Sequence, residues 1–196
     1  MTTTASAADD ALTRRQAELL DQLEALFLAD GFSRFTLEDL ALRLRCSKST
    51  LYALAGSKEQ LAHRVVKHFF RKGTAAVEAD TVTEVDPARR VTAYLSAVAR
   101  ALAPAGPAFH RDLDSFPPGR EVYERNTAMA AERVRALIAD GVAQGRFREV
   151  HPALIADTVT TLMLRIGRGD TQRATGLDDA TAYRELAALL LRGIAL

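Results

Sequence analysis

Tryptophan is absent from this 196-residue sequence, and cysteine occurs once, as Cys46. A single thiol cannot close an intrachain disulfide, so packing must hold the fold, and sparse cysteine suits a reducing, cytoplasmic setting. Long apolar runs are missing too. The best, Leu186 to Leu191, covers six residues, whereas a membrane span needs about 20. Arg165 and Arg168 interrupt the other candidate, so no membrane partner is expected. Met1 to Asp10 lacks the basic start and apolar stretch of a secretion signal. Rich in Thr, Ala and Ser, it reads as a disordered tail over residues 1–12. No glycine-rich phosphate loop or nucleophile elbow occurs. The four histidines, His63, His68, His110 and His151, show no metal-ligand spacing. The expectation is a chain with no catalytic residue, no metal and no cofactor, and therefore not an enzyme. The net charge of +1 neither demands nor excludes nucleic acid, so that argument must be local.

Convincing strands are missing as well, and what fills the chain is alanine, leucine and arginine, all good helix formers. Thr13 with Gln16, Thr36 with Asp39, and Ser57 with Gln60 have the spacing of N-terminal capping boxes. Asp86-Pro87 and His151-Pro152 place proline just inside a helix start, where its missing N–H costs nothing. Between these signals apolar residues recur every three or four positions. The stripes run through Leu19 to Phe27, Leu61 to Phe70, Val91 to Leu102, Val134 to Val142, Leu154 to Ile166 and Tyr183 to Ile194. The sum is an all-α chain of about nine helices: three short ones before Ala55, a long connecting helix, then five more. Pro104–Pro107, Phe116–Gly119 and Arg168–Asp179 read as irregular.

The informative segment runs from Thr36 to Leu61. It reads as a short helix (Leu37 to Leu44), a tight turn at Arg45 and Cys46, and a second short helix capped by Ser47. Leu40, Ala41, Leu44, Cys46 and Leu51 are apolar where two crossed helices must touch. Lys48, Ser49, Thr50 and Tyr52 are small or polar at the exposed start of the second helix, the geometry of a recognition helix in a major groove. From Arg43 to Lys58 there are four basic residues (Arg43, Arg45, Lys48, Lys58) and no acid, a local charge suited to phosphates.

These residues carry a specific resemblance. Leu40-Ala41, Ser47, Thr50-Leu51-Tyr52 and Lys58-Glu59-Gln60-Leu61 stand in register with the signature of TetR-family transcriptional regulators, and Leu26-Phe27, Gly31-Phe32 and Thr36 also match. The resemblance covers about the first 70 residues. It implies that Thr36, Ser47, Lys48, Ser49, Thr50, Tyr52 and Lys58 contact double-stranded DNA. The chain departs from the pattern at Arg45, where the family has a turn glycine, at Leu54-Ala55 in place of His-Phe, and at Ser49 in place of glycine. Arg45 is added to the DNA-contacting set because a long cation at that turn lies within reach of a phosphate.

The implied organisation is a helix-turn-helix domain over residues 13–56 and an effector-binding and dimerisation domain over 57–196. Phe69, Tyr94, Phe109, Phe116, Tyr123 and Met163 are candidate lining residues for the effector pocket. Arg165 shares a helix face with Asp157, Thr161 and Arg168, which favours a solvated stripe over a ligand contact. Ala188 to Leu191 are apolar nearly all round, so the last two long helices are expected to form a homodimer interface. Cys46 is expected to be an inert packing residue. The function that follows is a ligand-responsive regulator, a repressor binding a palindromic operator as a homodimer and released by a small apolar effector. The rival reading is a helical small-molecule-binding protein that retains a degenerate helix-turn-helix.

Overall fold

The structure is a computed structural model that describes residues 12–194, and within these residues it is built entirely of helices. In chain order they are α1 (Arg14–Asp30), α2 (Leu37–Arg43), α3 (Lys48–Leu54), α4 (Lys58–Thr81) and α5 (Pro87–Leu102), followed by α6 (Pro107–Ser115), α7 (Pro117–Ala143), α8 (Pro152–Gly167), α9 (Asp170–Thr175) and α10 (Asp179–Ile194). The tail expected over residues 1–12 lies outside the described residues except for Leu12, which is half-buried against the N-terminal core.

Helix starts are set locally. Thr13 and Thr36 form complete capping boxes with Gln16 and Asp39, while Ser47, Ser57 and Asp86 each accept a backbone N–H from three residues on. Each such cap satisfies an N–H that the first turn leaves without a partner. The count is ten rather than about nine, because the stretch expected to be irregular after Arg168 contains α9. Its six residues are framed by Gly169 and Gly176, both left-handed, so glycine punctuation hid a single helical turn. Phe116 alone separates α6 from α7, where a longer loop through Gly119 was expected.

The buried side chains form two clusters. The N-terminal one joins α1–α3 through Leu23, Phe27, Leu40 and Leu51. It continues into the first half of α4 (Leu61, Val65, Phe69) and into α6 (Phe109, Leu113). Each such side chain contributes roughly 1.5–3 kcal/mol on burial, so the three short helices are held as one unit against α4. The second cluster lies among α5, α7, α8 and α10, around Val91, Leu95, Val134, Val159, Ile166 and Tyr183. Helix α4 packs against α1 at one end and against α5 and α7 along its length, whereas α6 packs between α1 and α7. Two elements therefore connect the N-terminal unit to the bundle: α4 and α6.

Candidate nucleic-acid interface and internal cavity

Helix α2 ends in a Schellman motif. The Cys46 N–H donates to the Ala41 carbonyl at 3.0 Å and the Arg45 N–H to the Leu42 carbonyl at 3.3 Å. That geometry requires a left-handed residue between them, and Arg45, at φ 50°, is the one non-glycine residue with positive φ among the described residues. Ser47 then restarts the chain as the cap of α3 and gathers the hydroxyls of Ser49 (2.6 Å) and Thr50 (2.8 Å) around its own. Leu51 and Leu54 are buried and anchor α3, which turns Lys48, Ser49 and Tyr52 outward. Tyr52 is 51% exposed, a large apolar ring on the surface. Thr36 is occupied with capping α2, and its hydrogen bonds hold the Asp39 carboxyl below the usual range. The Lys58 ammonium donates to the Ser33 carbonyl at 2.7 Å, pinning the start of α4 to the turn after α1.

The basic run counted along the chain is partly paired in space. Lys48 meets the Glu38 carboxylate of α2, and Arg43 stands 3.9 Å from Asp30 while also lying over the Phe35 ring. Exposed pairs of this kind are weak, and the ammonium can leave Glu38 for a phosphate. Cys46 is half-buried against the N-terminal core, and burial pushes its thiol up.

The joint between the N-terminal unit and α6 is polar at its edge and aromatic inside. The Asp112 carboxylate on α6 accepts from the Phe32 N–H (2.5 Å), the Ser33 N–H (2.8 Å) and the Ser33 hydroxyl (2.6 Å). The Gly106 N–H donates to the Leu28 carbonyl at 2.8 Å, tying the start of α6 to the last turns of α1. Beneath these bonds Phe32 packs on Phe27, Phe109 and Phe116. Phe109 then meets Phe69, Phe69 meets Phe70, and Phe70 meets Tyr123. The rings form a continuous path from the turn after α1 to the bundle. Phe109 and Phe116, expected on the effector pocket, stand in this joint instead and do not line the cavity described next.

That cavity, about 660 Å³, lies among α4, α5, α7, α8 and α10. Of the pocket candidates, Phe69, Tyr94, Tyr123 and Met163 line it. Its volume is in the range used by drug-sized ligands. The walls are mainly apolar, but Glu78, Arg125, Glu132 and Arg133 also reach it, more charge than the sequence led us to expect. Arg133 donates to Glu78 across α7 and α4 at 3.1 Å. Burial pushes Tyr94 and Tyr123 each up to about 12. The Tyr123 hydroxyl donates to the Met163 carbonyl at 3.4 Å. Arg165 is exposed and does not contribute. Glu78, Arg133 and Tyr183 were not foreseen, because each looks like an ordinary helix-face residue until α4, α7 and α10 are brought together.

The fold also assembles one cluster that the spacing of histidines did not reveal. Asp21, Glu24 and His68 bring ligand-type atoms within 4.8 Å of one another. The Lys72 ammonium sits against both carboxylates at 3.1 and 3.2 Å. Lysine thus holds the position a cation would take.

A short helix, tight turn and second short helix with an exposed polar N-terminal face, mounted on a helical bundle that holds a cavity, define a helix-turn-helix protein. Residues 19–65 match the sequence model described as bacterial regulatory proteins, tetR family. The structure superposes on the TetR-family transcriptional regulator PfmR of Thermus thermophilus with a TM-score of 0.67 and 26% identity, covering 89% of this chain and 97% of that one. A putative transcriptional regulator from Saccharomonospora viridis, solved in complex with choline, gives a TM-score of 0.75 at 16% identity, covering 92% and 97%. In sequence the chain is 24% identical over 194 residues to the uncharacterized HTH-type transcriptional regulator YfiR of Bacillus subtilis (strain 168), covering 92% of each. The chain thus resembles TetR-family transcriptional regulators, in sequence over residues 19–65 and in fold over most of its length. No helix among the described residues is long and apolar enough to cross a membrane.

Proposed function

We propose that this chain is a one-component switch, a repressor that binds a palindromic operator as a homodimer and is released by a small, largely apolar effector. Residues 13–56 read the DNA, and residues 57–196 bind the effector and form the dimer. The observation that carries the reading is the outward face of α3, where Lys48, Ser49 and Tyr52 stand exposed on a helix anchored from below by Leu51 and Leu54. Such a face enters a major groove with its N-terminal residues toward the bases. Lys48, Ser49 and Tyr52 contact bases and phosphates. Ser47 and Thr50 offer hydroxyls at the same end, and Arg45, Thr36 and Lys58 flank the groove toward the backbone.

One short helix reads too few base pairs for genomic specificity, so two copies must act together, their recognition helices about 34 Å apart. Leu154 on α8 and Leu189 on α10 are 63% and 67% exposed, and they supply the apolar face on which a second copy docks. That the Saccharomonospora protein of the same fold is solved in complex with choline supports a small organic effector for this chain. The effector acts by preferring a conformer in which the two α3 helices no longer match successive grooves. Its route to α3 is α6, which touches both the aromatic path to the cavity and the turn after α1.

The test is selection of random duplexes by the purified full chain, followed by fluorescence anisotropy. An enriched inverted repeat is expected. Tyr52→Ala and Lys48→Ala should each weaken binding to it by roughly tenfold or more with circular dichroism unchanged. No enrichment, or enrichment that both variants leave intact, overturns the assignment.

A further inference from the structure

We propose that the cavity selects a neutral effector carrying one hydrogen-bond acceptor, such as a ketone, ester or amide carbonyl, and that the Tyr94 hydroxyl is the residue that reads it. The inference rests on the cavity being the effector site and adds to it the chemistry of one end. Tyr94 is 4% exposed and lines the cavity, yet its hydroxyl has no hydrogen-bond partner among the described residues. A phenol hydroxyl that opens onto a mainly apolar cavity is a donor available to whatever occupies it. Beside it Arg133 donates one N–H to Glu78 while its buried Nε–H has no acceptor. This end of the cavity therefore holds donors in excess of acceptors, and a ligand acceptor repairs the deficit.

The charges settle what kind of acceptor. Glu78 and Arg133 already neutralise each other at 3.1 Å. Of the other charged lining groups, Arg125 pairs with Glu121 and Glu132 with Arg135. A carboxylate placed at Tyr94 would face Glu78, and an ammonium would face Arg133, so either incurs desolvation without an unpaired counter-charge. A neutral carbonyl takes the Tyr94 proton donor and meets neither repulsion. The remaining walls, including Phe69, Phe70, Val98 and Met163, accommodate an apolar body.

The experiment uses the full chain and two probes of nearly equal shape, benzophenone and diphenylmethane, which differ in the carbonyl, with binding followed by calorimetry. Benzophenone should bind about fivefold to tenfold more tightly. Tyr94→Phe, which removes one oxygen and leaves the packing, should erase that preference while leaving diphenylmethane unchanged. Met163→Trp, which fills the cavity, should abolish both. Equal binding of the two probes, or a preference that survives Tyr94→Phe, overturns the role of Tyr94 while leaving the cavity as the effector site. Failure of either probe to bind, or binding that survives Met163→Trp, overturns the cavity reading and this inference with it.

Discussion

Replacing Asp112 by alanine removes the polar clasp between α6 and the N-terminal unit. Three donors lose their acceptor: the Phe32 N–H, the Ser33 N–H and the Ser33 hydroxyl. Hydrogen bonds to a charged acceptor contribute about 1.5–3 kcal/mol each when protected. Ser33 is exposed and water replaces its two bonds in large part, whereas the Phe32 bond is partly buried. The net loss is therefore about 2 kcal/mol rather than the sum, and a chain of this size should melt roughly 4–8 °C lower. The pH dependence gives a second reading. Burial pushes the Asp112 carboxyl up, but the hydrogen bonds from Ser33 and Phe32 outweigh it and the net shift is downward from 3.8. A carboxylate depressed in the folded state contributes stability above its unfolded value and loses it as pH falls through the folded one. The gap between wild type and Asp112→Ala should thus be full near neutrality and close progressively below pH 3.8. Scanning calorimetry at several pH values checks both. A variant melting within about 1 °C of wild type at neutral pH would refute the clasp, as would a gap that stays constant into acid. If α6 transmits the effector signal, the same variant should also shrink the change in operator affinity that effector produces, by part of the usual coupling of about 1–3 kcal/mol.

Arg45→Gly should raise stability by about 1 kcal/mol, because a left-handed residue without a Cβ suits φ 50° better. In anisotropy titrations it should also weaken binding to all duplexes alike and lower the salt slope by roughly one ion per subunit; a melting temperature that falls would contradict the turn geometry. Light scattering at micromolar concentration should give a dimer mass for wild type and a monomer for Leu189→Glu, which places a charge on the exposed apolar face of α10. A wild-type monomer would remove the docking face. Gly167→Ala should destabilise by about 1–3 kcal/mol in chemical denaturation, since its Cβ would lie 1.7 Å from the Tyr123 hydroxyl. A neutral outcome there would mean that Tyr123 has room to move, contrary to its packing.

Residue order along the chain was enough for everything governed by neighbours a few positions apart. The caps at Thr13, Thr36, Ser47 and Ser57 are local bonds between residue types three positions apart. They mark the helices regardless of what packs on them. A tight turn at Arg45 and Cys46 was legible in the same way, and its left-handed backbone at Arg45 was implied by the resemblance, which has glycine there. The order of polar and apolar residues along α3 likewise showed which face is outward. Periodicity also showed that Phe109 and Phe116 lie on or beside apolar faces, but not against what.

Partners, by contrast, were chosen by the packing. Asp112 and Ser33 are 79 positions apart, Glu78 and Arg133 are 55 apart, and Lys72 and Asp21 are 51 apart. Any exposed-looking carboxylate or cation on those helix faces would read identically along the chain. Lys48 shows the same over a shorter span: its ten-residue separation from Glu38 hid a pairing that tempers the basic run around α3. The cavity belongs to the same class. Its lining comes from five helices, and which side chains surround empty space rather than each other depends on how helices cross, a property that no window along the chain contains.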